Sequence, residues 1–158
     1  IKNLVKDIEG NTLVLFNYIE KHGTPLYDLI NNNVDDARKV FFVHGGTEVE
    51  DREQVRTITE TESNAVIVAS YGTFSTGINI KRLHNIIFAS PSKSRIRNLQ
   101  SIGRVLRKGE GKDIATLYDI ADDIGGQNYT LKHLNERVNI YNDENFRYEV
   151  IKVNLRAN

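Results

Sequence analysis

The sequence lacks cysteine, methionine and tryptophan altogether, and it contains only two prolines among its 158 residues. Without cysteine the chain can form neither a disulfide framework nor a thiolate metal site. Because it begins at Ile1 and contains no methionine, we expect it to be a piece of a longer protein. No apolar run approaches the roughly 20 residues that would cross a bilayer, and no secretory signal opens the chain. We therefore expect a cytoplasmic protein without membrane contact.

The chain also has no excess of charge of either sign, because its 21 Lys and Arg residues balance its 21 Asp and Glu residues. Any surface for nucleic acid must therefore come from local segregation of charge and not from overall basicity. With 39% hydrophobic residues, a chain of this length can build one α/β domain with a proper core, but it is too short for two large domains.

The motifs of several enzyme classes are absent. The chain has no G-x-x-x-x-G-K-[ST] loop and no G-x-G-x-x-G turn after its first apolar run, so it contains no recognisable nucleotide cradle of its own. It also lacks H-E-x-x-H and G-x-S-x-G. The four histidines are scattered singly and not at metal-ligand spacing: His22, His44, His84 and His133. We expect them to be structural or solvated, and we expect no metal site.

Short apolar runs rich in β-branched and aromatic residues alternate with polar stretches of helical spacing. The runs predict strands at residues 12–16, 39–43, 65–69, 84–88 and 114–119. The stretches between them predict helices at residues 18–32, 48–62, 72–76 and 93–108. Because the runs are almost continuously apolar, helices should cover both faces of a parallel sheet. This pattern predicts an α/β fold with a doubly wound, mainly parallel sheet of RecA or Rossmann type.

The pattern changes near the C-terminus, and we predict a domain over residues 1–123 followed by a C-terminal extension over 124–158. In the extension, "LKHLNERVNIY" predicts an amphipathic helix. The alternating "FRYEVIKVNL" at 146–155 predicts a final strand. The helix could pack on an upstream domain, contact nucleic acid or bind a partner, and packing is the commonest outcome for such a segment.

The most informative stretch is "LQSIGRVLRKGEGK" at residues 99–112. At about 100° per residue, the apolar side chains of the predicted helix fall on one arc, and Gln100, Arg104 and Arg107 fall together beside it. Between positions 93 and 112 the chain carries seven basic residues and one acidic residue, a local excess of six positive charges. An anionic partner is therefore expected for this face.

Two interpretations of this helix stay open from its residues alone. It is either a solvated cationic face, or it carries arginines that reach phosphate oxygens. Planar guanidinium groups one helical turn apart, as at Arg104 and Arg107, suit the oxygens of a transferring phosphoryl group. In the second case the other half of the nucleotide site must be supplied in trans, because this chain has no nucleotide cradle.

Four segments of the chain resemble motifs of superfamily 2 helicases, and they follow the family's order. "TLVLFNYIE" stands where motif IV is expected, and "VHGGTEVEDRE" resembles the glycine segment that follows it. "ASYGTFSTGINIKRLHNIIFASP" resembles motif V and the strand after it. "QSIGRVLR" matches the motif VI pattern Gln-x-x-Gly-Arg-x-x-Arg at Gln100, Gly103, Arg104 and Arg107.

The resemblance covers roughly residues 1–122 and implies the second RecA-like domain of a two-domain motor. Phage UvsW-type recombination and repair helicases, related to the RecG- and XPB-like branch, are the most similar group. The resemblance implies a translocase on double-stranded DNA, without sequence preference, that remodels forks, junctions, D-loops and R-loops in a phage-infected or bacterial cell. It also implies ATP and Mg²⁺, both bound mainly by an N-terminal RecA-like domain of the same chain.

The same resemblance assigns roles to individual residues. Arg107 would be the arginine finger, with Arg104 and Gln100 as its catalytic neighbours. The nucleotide would also meet Gly77, Asn79 and Gly103. DNA phosphates would meet the loops of motifs IV and V, at Asn17, Gly46, Ser70, Thr73 and Thr76.

Two positions depart from the family's motif V. Asn79 stands where the family usually has Asp, so the chain offers an amide instead of a carboxylate to a ribose hydroxyl. Lys81 stands where many relatives have Pro. We keep Asn79 as a weaker nucleotide contact.

Two other classes of function fit part of the pattern. A Rossmann-like small-molecule enzyme should show a glycine-rich turn after a strand and an acid about 20 residues further on, and "FNYIEKHG" offers no such turn. A degenerate helicase-like module that binds nucleic acid without ATPase function would keep the basic helix, but it could lose the Gln/Arg spacing that is intact here. ATP hydrolysis by the longer protein separates this module from the motor.

Overall fold

The computed structural model describes residues 1–75, 80, 82–90, 115–126 and 129–155. Its strands are β1 at Thr12–Phe16, β2 at Val40–Val43, β3 at Val66–Ser70, β4 at Asn85–Phe88 and β5 at Thr116–Asp119. Its α-helices are α1 at Lys2–Asp7, α2 at Thr24–Asn31, α3 at Val49–Thr61, α4 at Tyr71–Ser75 and α5 at Tyr129–Asp143. A short π-helix spans Ile19–Gly23, directly before α2.

The strands form one parallel sheet in the order β2-β3-β1-β4-β5. The central strand β1 pairs with β3, where Phe16 lies opposite Ser70, and with β4, where Leu15 lies opposite Phe88. The chain runs from β1 outward to β2, returns through β3 and crosses β1 to reach β4. This arrangement confirms the predicted α/β, doubly wound fold. Because the strands are parallel, their carboxyl ends lie on one side of the sheet, which we name the carboxyl edge; the opposite side is the amino edge.

The core is divided by the sheet into two layers. Every residue of β1 is buried. Leu13 and Leu15 belong to a cluster that side chains of α3, α4 and α5 complete. Val14 and Phe16 belong to a second cluster that α1 and α2 complete. Since full burial of one such side chain stabilises a fold by about 1.5 to 3 kcal/mol, the burial of β1 contributes strongly to stability.

The amino edge is closed by the side chain of Asn11, which has no exposed surface. Its Nδ2 donates to the carbonyls of Thr59, Glu62 and Arg82 at 3.0, 2.8 and 2.9 Å. Its Oδ1 accepts the N–H of Ala65 at 2.9 Å. One amide therefore ties the amino edge to the end of α3.

The buried guanidinium of Arg38 also forms hydrogen bonds at the amino edge. Arg38 donates to the carbonyls of Val5 and Asn64, and its Nη2 lies 3.4 Å from the Gly10 carbonyl and from Thr12 Oγ1. Burial lowers the pKa of Arg38. Because its partners are neutral oxygens, this arginine links α1 to the sheet by hydrogen bonds and not by an ion pair.

Within residues 1–123, the predicted elements that the structure describes form with one main difference. The strands agree within two residues at each end, and the predicted helix at 48–62 is α3. The predicted helix at 18–32 is divided into the π-helix and α2, and Pro25, which has no N–H to donate, lies in the first turn of α2. The predicted helix at 93–108 lies outside the described residues.

The C-terminal extension differs in part from its prediction. The predicted helix forms as α5, and its Val138, Ile140 and Tyr141 pack on the sheet's own core. The predicted final strand at 146–155 is not formed: this segment pairs with no strand of the described residues, and the apolar side chains Val150, Ile151, Val153 and Leu155 are at least 71% exposed. Alternation shows which side chains a strand would place on each face, but it does not supply a partner strand. The boundary between 123 and 124 stays a prediction.

A membrane-spanning helix was not expected. Of the helices in the described ranges, none combines the length and the apolar character that a bilayer span requires.

Candidate functional site

The carboxyl edge has a crevice at its centre. β1 and β3 are neighbours in the sheet, but α2, which follows β1, packs on one face and α4, which follows β3, packs on the other. Doubly wound sheets bind ligands at such a switch point, because the two connections separate there. Asn17 and Tyr18 follow β1 at this crevice, and Ser70 ends β3 on its other side.

Asn17, a predicted DNA contact, is held by Ser90 across the end of β4. Its backbone N–H donates to Ser90 Oγ at 3.0 Å, and its side-chain amide donates to the Ser90 carbonyl. The amide therefore ties the carboxyl ends of β1 and β4 together. A contact of Asn17 with DNA stays a prediction, and it would have to use the remaining amide hydrogen or the side-chain oxygen.

The loop between β2 and α3 carries the predicted contact Gly46. The N–H of His44 donates to Thr47 Oγ1 at 3.0 Å, and the N–H of Gly46 donates to His44 Nδ1 at 3.1 Å. The neighbouring Gly45 is exposed, a Cβ there would meet nothing within 4 Å, and its N–H has no partner in the described part of the chain. The N–H of Gly45 is therefore free, whereas the N–H of Gly46 is engaged with His44. Contact of Gly46 with DNA stays a prediction.

Ser70 and Thr73, two further predicted DNA contacts, pair with each other. Their hydroxyl oxygens lie 2.7 Å apart, and the N–H of Thr73 is 3.3 Å from Ser70 Oγ. Ser70 thus caps the first turn of α4. Because Thr73 is only 3% exposed, Ser70 is the member of the pair that solvent reaches. DNA contact by either residue stays a prediction.

Seven predicted site residues lie outside the described residues: Thr76, Gly77, Asn79, Gln100, Gly103, Arg104 and Arg107. Their roles stay predictions. The motif VI segment follows Ser90 in the chain, and β5, which comes after it, pairs with β4. Among the residues that the structure describes, no group of three or more His, Asp or Glu side chains could hold a metal ion.

A buried ionic cluster joins the end of β5 to α5. Arg137 donates from Nε and Nη2 to the two carboxylate oxygens of Asp119 at 2.7 and 2.9 Å, and the Tyr141 hydroxyl donates to the same carboxylate at 2.6 Å. The side chains of Arg137 and Asp119 are 2% and 9% exposed. This two-point geometry is among the strongest polar contacts in proteins, so the cluster fixes the carboxyl end of β5.

The cluster also changes the pKa of the Tyr141 hydroxyl. Burial raises the pKa of Tyr141, and the charge of the Asp119 carboxylate and its hydrogen bond raise this pKa further. The phenol is therefore a hydrogen-bond donor throughout the physiological pH range.

A cavity of about 550 Å³ opens beside the crevice, between α2 and the chain that follows β5. Leu26, Leu29 and Ile120 contribute to its apolar wall. Arg137 Nη1 and His22 Nδ1, on two other residues that line it, are buried and have no hydrogen-bond partner among the described residues. Most buried polar atoms in proteins are hydrogen-bonded, so these two nitrogen atoms leave unused hydrogen-bonding capacity on this side of the carboxyl edge.

Sequence reasoning missed the Asp119, Arg137 and Tyr141 cluster. A signal was present, because Arg137 stands beside Val138 on the apolar side of α5 and one turn before Tyr141. Arginine is almost never fully buried without a partner, so the position of Arg137 on the apolar side predicts a buried carboxylate beside it. Tyr18, which is 64% exposed at the end of β1, was also passed over.

The sequence matches the family described as "Helicase conserved C-terminal domain" over residues 1–109. It is similar to the ATP-dependent DNA helicase uvsW of Enterobacteria phage T4, with 42% identity over 160 residues. The matched region covers 93% of this chain and 31% of that protein. The chain therefore spans about a third of the length of this curated relative.

The fold is similar to three solved structures. The crystal structure of T4 UvsW matches with a TM-score of 0.73 and 38% identity, covering 92% of this chain and 32% of that one. Domain 2 of the Mss116p DEAD-box helicase, bound to an RNA duplex, matches with a TM-score of 0.64 and 14% identity, covering 89% and 50%. The C-terminal part of the Fun30 ATPase domain matches with a TM-score of 0.61 and 20% identity, covering 85% and 42%. At these low identities the last two show the fold alone.

Proposed function

Because the chain belongs to the family of helicase conserved C-terminal domains and is UvsW-like, we propose that it is the second motor domain of a helicase that remodels branched DNA in recombination and repair. Family membership confirms the resemblance inferred from motifs IV to VI. The observation that carries the proposal is the 42% identity, over 93% of the chain, to a phage ATP-dependent DNA helicase.

In this proposal the chain supplies one half of a nucleotide site. Arg107 stabilises charge on the transferring phosphoryl group as an arginine finger, and Arg104 and Gln100 position the network around it. Gly77, Asn79 and Gly103 contact the nucleotide. The intact Gln-x-x-Gly-Arg-x-x-Arg spacing, which lies inside the region of the family match, supports these roles.

ATP and Mg²⁺ are held mainly by a partner domain, which we propose to be an N-terminal RecA-like domain of the same longer protein. The support is that this chain has no P-loop sequence and spans about a third of its relative's length. Closure of the two domains would bring Arg107 to the γ-phosphate and complete the site.

DNA runs along the carboxyl edge. The crevice between β1 and β3, the free N–H of Gly45 and the partly exposed Ser70 support this placement. Backbone N–H and hydroxyl groups bind phosphate oxygens without reading bases. Such contacts suit a motor that moves along DNA of any sequence.

The test is ATP hydrolysis by the longer protein, measured without DNA, with linear duplex and with a four-way junction. Arg107→Ala should lower the rate by about 10³ to 10⁵, or roughly 4 to 7 kcal/mol of transition-state stabilisation, because an arginine finger contributes that much. Lys108→Ala, which removes the neighbouring positive charge, is the matched control and should stay within a few-fold of the unmodified protein.

Each result has a distinct meaning. Stimulation by the junction above that by linear duplex supports branched DNA as the substrate. Normal hydrolysis by a folded Arg107→Ala protein would contradict the finger assignment. A longer protein without any ATPase activity would favour the degenerate binding module instead.

A further inference from the structure

Tyr18 is an exposed aromatic side chain at the centre of the carboxyl edge. It follows Asn17 at the end of β1, the middle strand of the sheet, and 64% of the residue is exposed. The aromatic side chains that end β1 and β4, Phe16 and Phe88, are 0% and 2% exposed and belong to the core. Tyr18 therefore contributes little to packing within this domain, and its ring is available to a ligand.

The backbone of Tyr18 is held by the π-helix. Its carbonyl accepts the N–H of His22 at 2.9 Å and the N–H of Gly23 at 3.0 Å. Single π-helical turns are rare in proteins, but those that occur are often found at functional sites. The turn needs glycine at position 23, because a Cβ there would lie 2.5 Å from two ring carbons of the buried Phe16. Tyr18 is thus anchored to the core through the turn that follows it.

The ring of Tyr18 is oriented as well. It packs against the His22 ring with centroids 5.4 Å apart and planes at 68°, an edge-to-face geometry that is favourable for aromatic pairs. His22 is itself half-buried and lines the cavity beside the crevice. A supported ring loses less conformational freedom on binding than a free one, so its contact with a ligand is stronger.

We propose that Tyr18 is a stacking platform for an unpaired nucleobase of single-stranded DNA. The inference rests on the proposed function and deepens it by naming a contact to a base. Aromatic rings stack on any base through its π-face, which suits a motor without sequence preference. The neighbouring Asn17 amide is engaged with Ser90, whereas the aromatic side chain of Tyr18, which follows it at the carboxyl edge, is exposed to solvent.

The first experiment uses the longer protein and measures DNA affinity for Tyr18→Ala and Tyr18→Phe. Tyr18→Ala should weaken binding to single-stranded DNA by about 5- to 150-fold, because a stacked base contributes about 1 to 3 kcal/mol. Tyr18→Phe keeps the ring and should bind as the unmodified protein does. Affinity for blunt linear duplex, which offers no unpaired base, should be the same in all three proteins.

A second experiment reports on the stacking itself. This chain has no tryptophan, so the difference in emission between Tyr18→Trp and the unmodified protein isolates residue 18. Single-stranded DNA should quench this difference emission, and duplex should not. Tyr129→Trp is the matched control, because Tyr129 is 68% exposed but lies on α5, and it should be quenched much less.

The outcomes separate this inference from the proposed function. If the unmodified protein binds neither single-stranded nor branched DNA, the proposed function fails and the inference fails with it. If DNA binding and DNA-stimulated hydrolysis are intact but Tyr18→Ala binds single strands normally, only the inference is overturned. Equal quenching at positions 18 and 129, or quenching by duplex, would also overturn it.

Discussion

The two edges of the sheet differ in how their buried polar groups are hydrogen-bonded. At the amino edge, the Asn11 amide makes four hydrogen bonds, and the Arg38 guanidinium donates to oxygens of α1, the loop before β1 and the turn before β3. At the carboxyl edge, Arg137 Nη1 and His22 Nδ1 lack partners among the described residues, a cavity opens beside them, and Tyr18 is exposed.

The two edges therefore have different roles in the domain. At the amino edge, the Asn11 amide and the Arg38 guanidinium find their hydrogen-bond partners within the domain, so these two groups contribute to stability. An edge with free donors, a crevice and an exposed ring gives up some stability and keeps the capacity to bind. The cluster of Asp119, Arg137 and Tyr141 is an exception at the carboxyl edge, because its hydrogen bonds stabilise the end of β5.

The largest effect is expected for Asn11→Asp. The substitution replaces the donor that faces three carbonyls with a buried carboxylate, and we expect a loss of about 5 kcal/mol in the free energy of unfolding at pH 7. Denaturant unfolding measures the loss. Asn3→Asp, at an exposed site in the first turn of α1, is the control and should change stability by less than about 0.5 kcal/mol. A small loss at Asn11 would break the comparison between the edges.

A smaller loss, about 3 kcal/mol, is expected for Asp119→Asn. The variant keeps the side chain's shape but leaves the Arg137 cation buried without a counter-charge, and breaking such a pair is strongly destabilising. Asp123→Asn, at an exposed position a few residues further on, should be nearly neutral. If both variants unfold at the same denaturant concentration, the cluster does not stabilise the carboxyl edge.

The smallest effect is expected for Tyr141→Phe, which removes one hydrogen bond to a charged group and should cost about 2 kcal/mol near neutral pH. Because the native-state pKa of Tyr141 is raised above its usual value of 10.0, the stabilisation is complete below about pH 10 and is lost as the pH rises further. The stability difference between the unmodified protein and the variant should therefore shrink above that pH.

Chemical denaturation at pH 7, 9, 10 and 11 gives this profile. Tyr148→Phe removes a phenol that is 47% exposed and should show little difference from the unmodified protein at any of these pH values. A difference at Tyr141 that grows with alkaline pH would reverse the sign that the raised pKa requires.

Much of the fold was predictable from short-range patterns. The strands form where β-branched and aromatic runs stand, because a strand buried on both faces needs apolar side chains in both directions. The helix α3 forms where helical spacing predicts it, from Val49 to Thr61. These features depend on residues a few positions apart, which sequence periodicity records directly.

Other features were not predictable for a physical reason. The π-helix depends on how Gly23 meets the ring of Phe16, and the 146–155 segment failed to pair although its alternation suits a strand. The hydrogen bonds of Asn17 with Ser90 and of Thr73 with Ser70 could not be predicted from motif position; DNA contact by Asn17 and Thr73 stays a prediction. Each outcome depends on a neighbour that is distant in sequence or on the geometry of a turn.

The family, the alternation of strands and helices, and the Gln/Arg pattern of motif VI can all be read from the amino-acid sequence, because these are local arrangements of residue types. Which polar groups have hydrogen-bond partners and which do not depends on the folded arrangement of the chain. It joined Asp119 to Arg137 across 18 positions and Asn11 to Arg82 across 71. It also left Tyr18 exposed at the carboxyl edge. Hydrogen-bond partners are chosen by proximity in space, and proximity exists only after the sheet has formed.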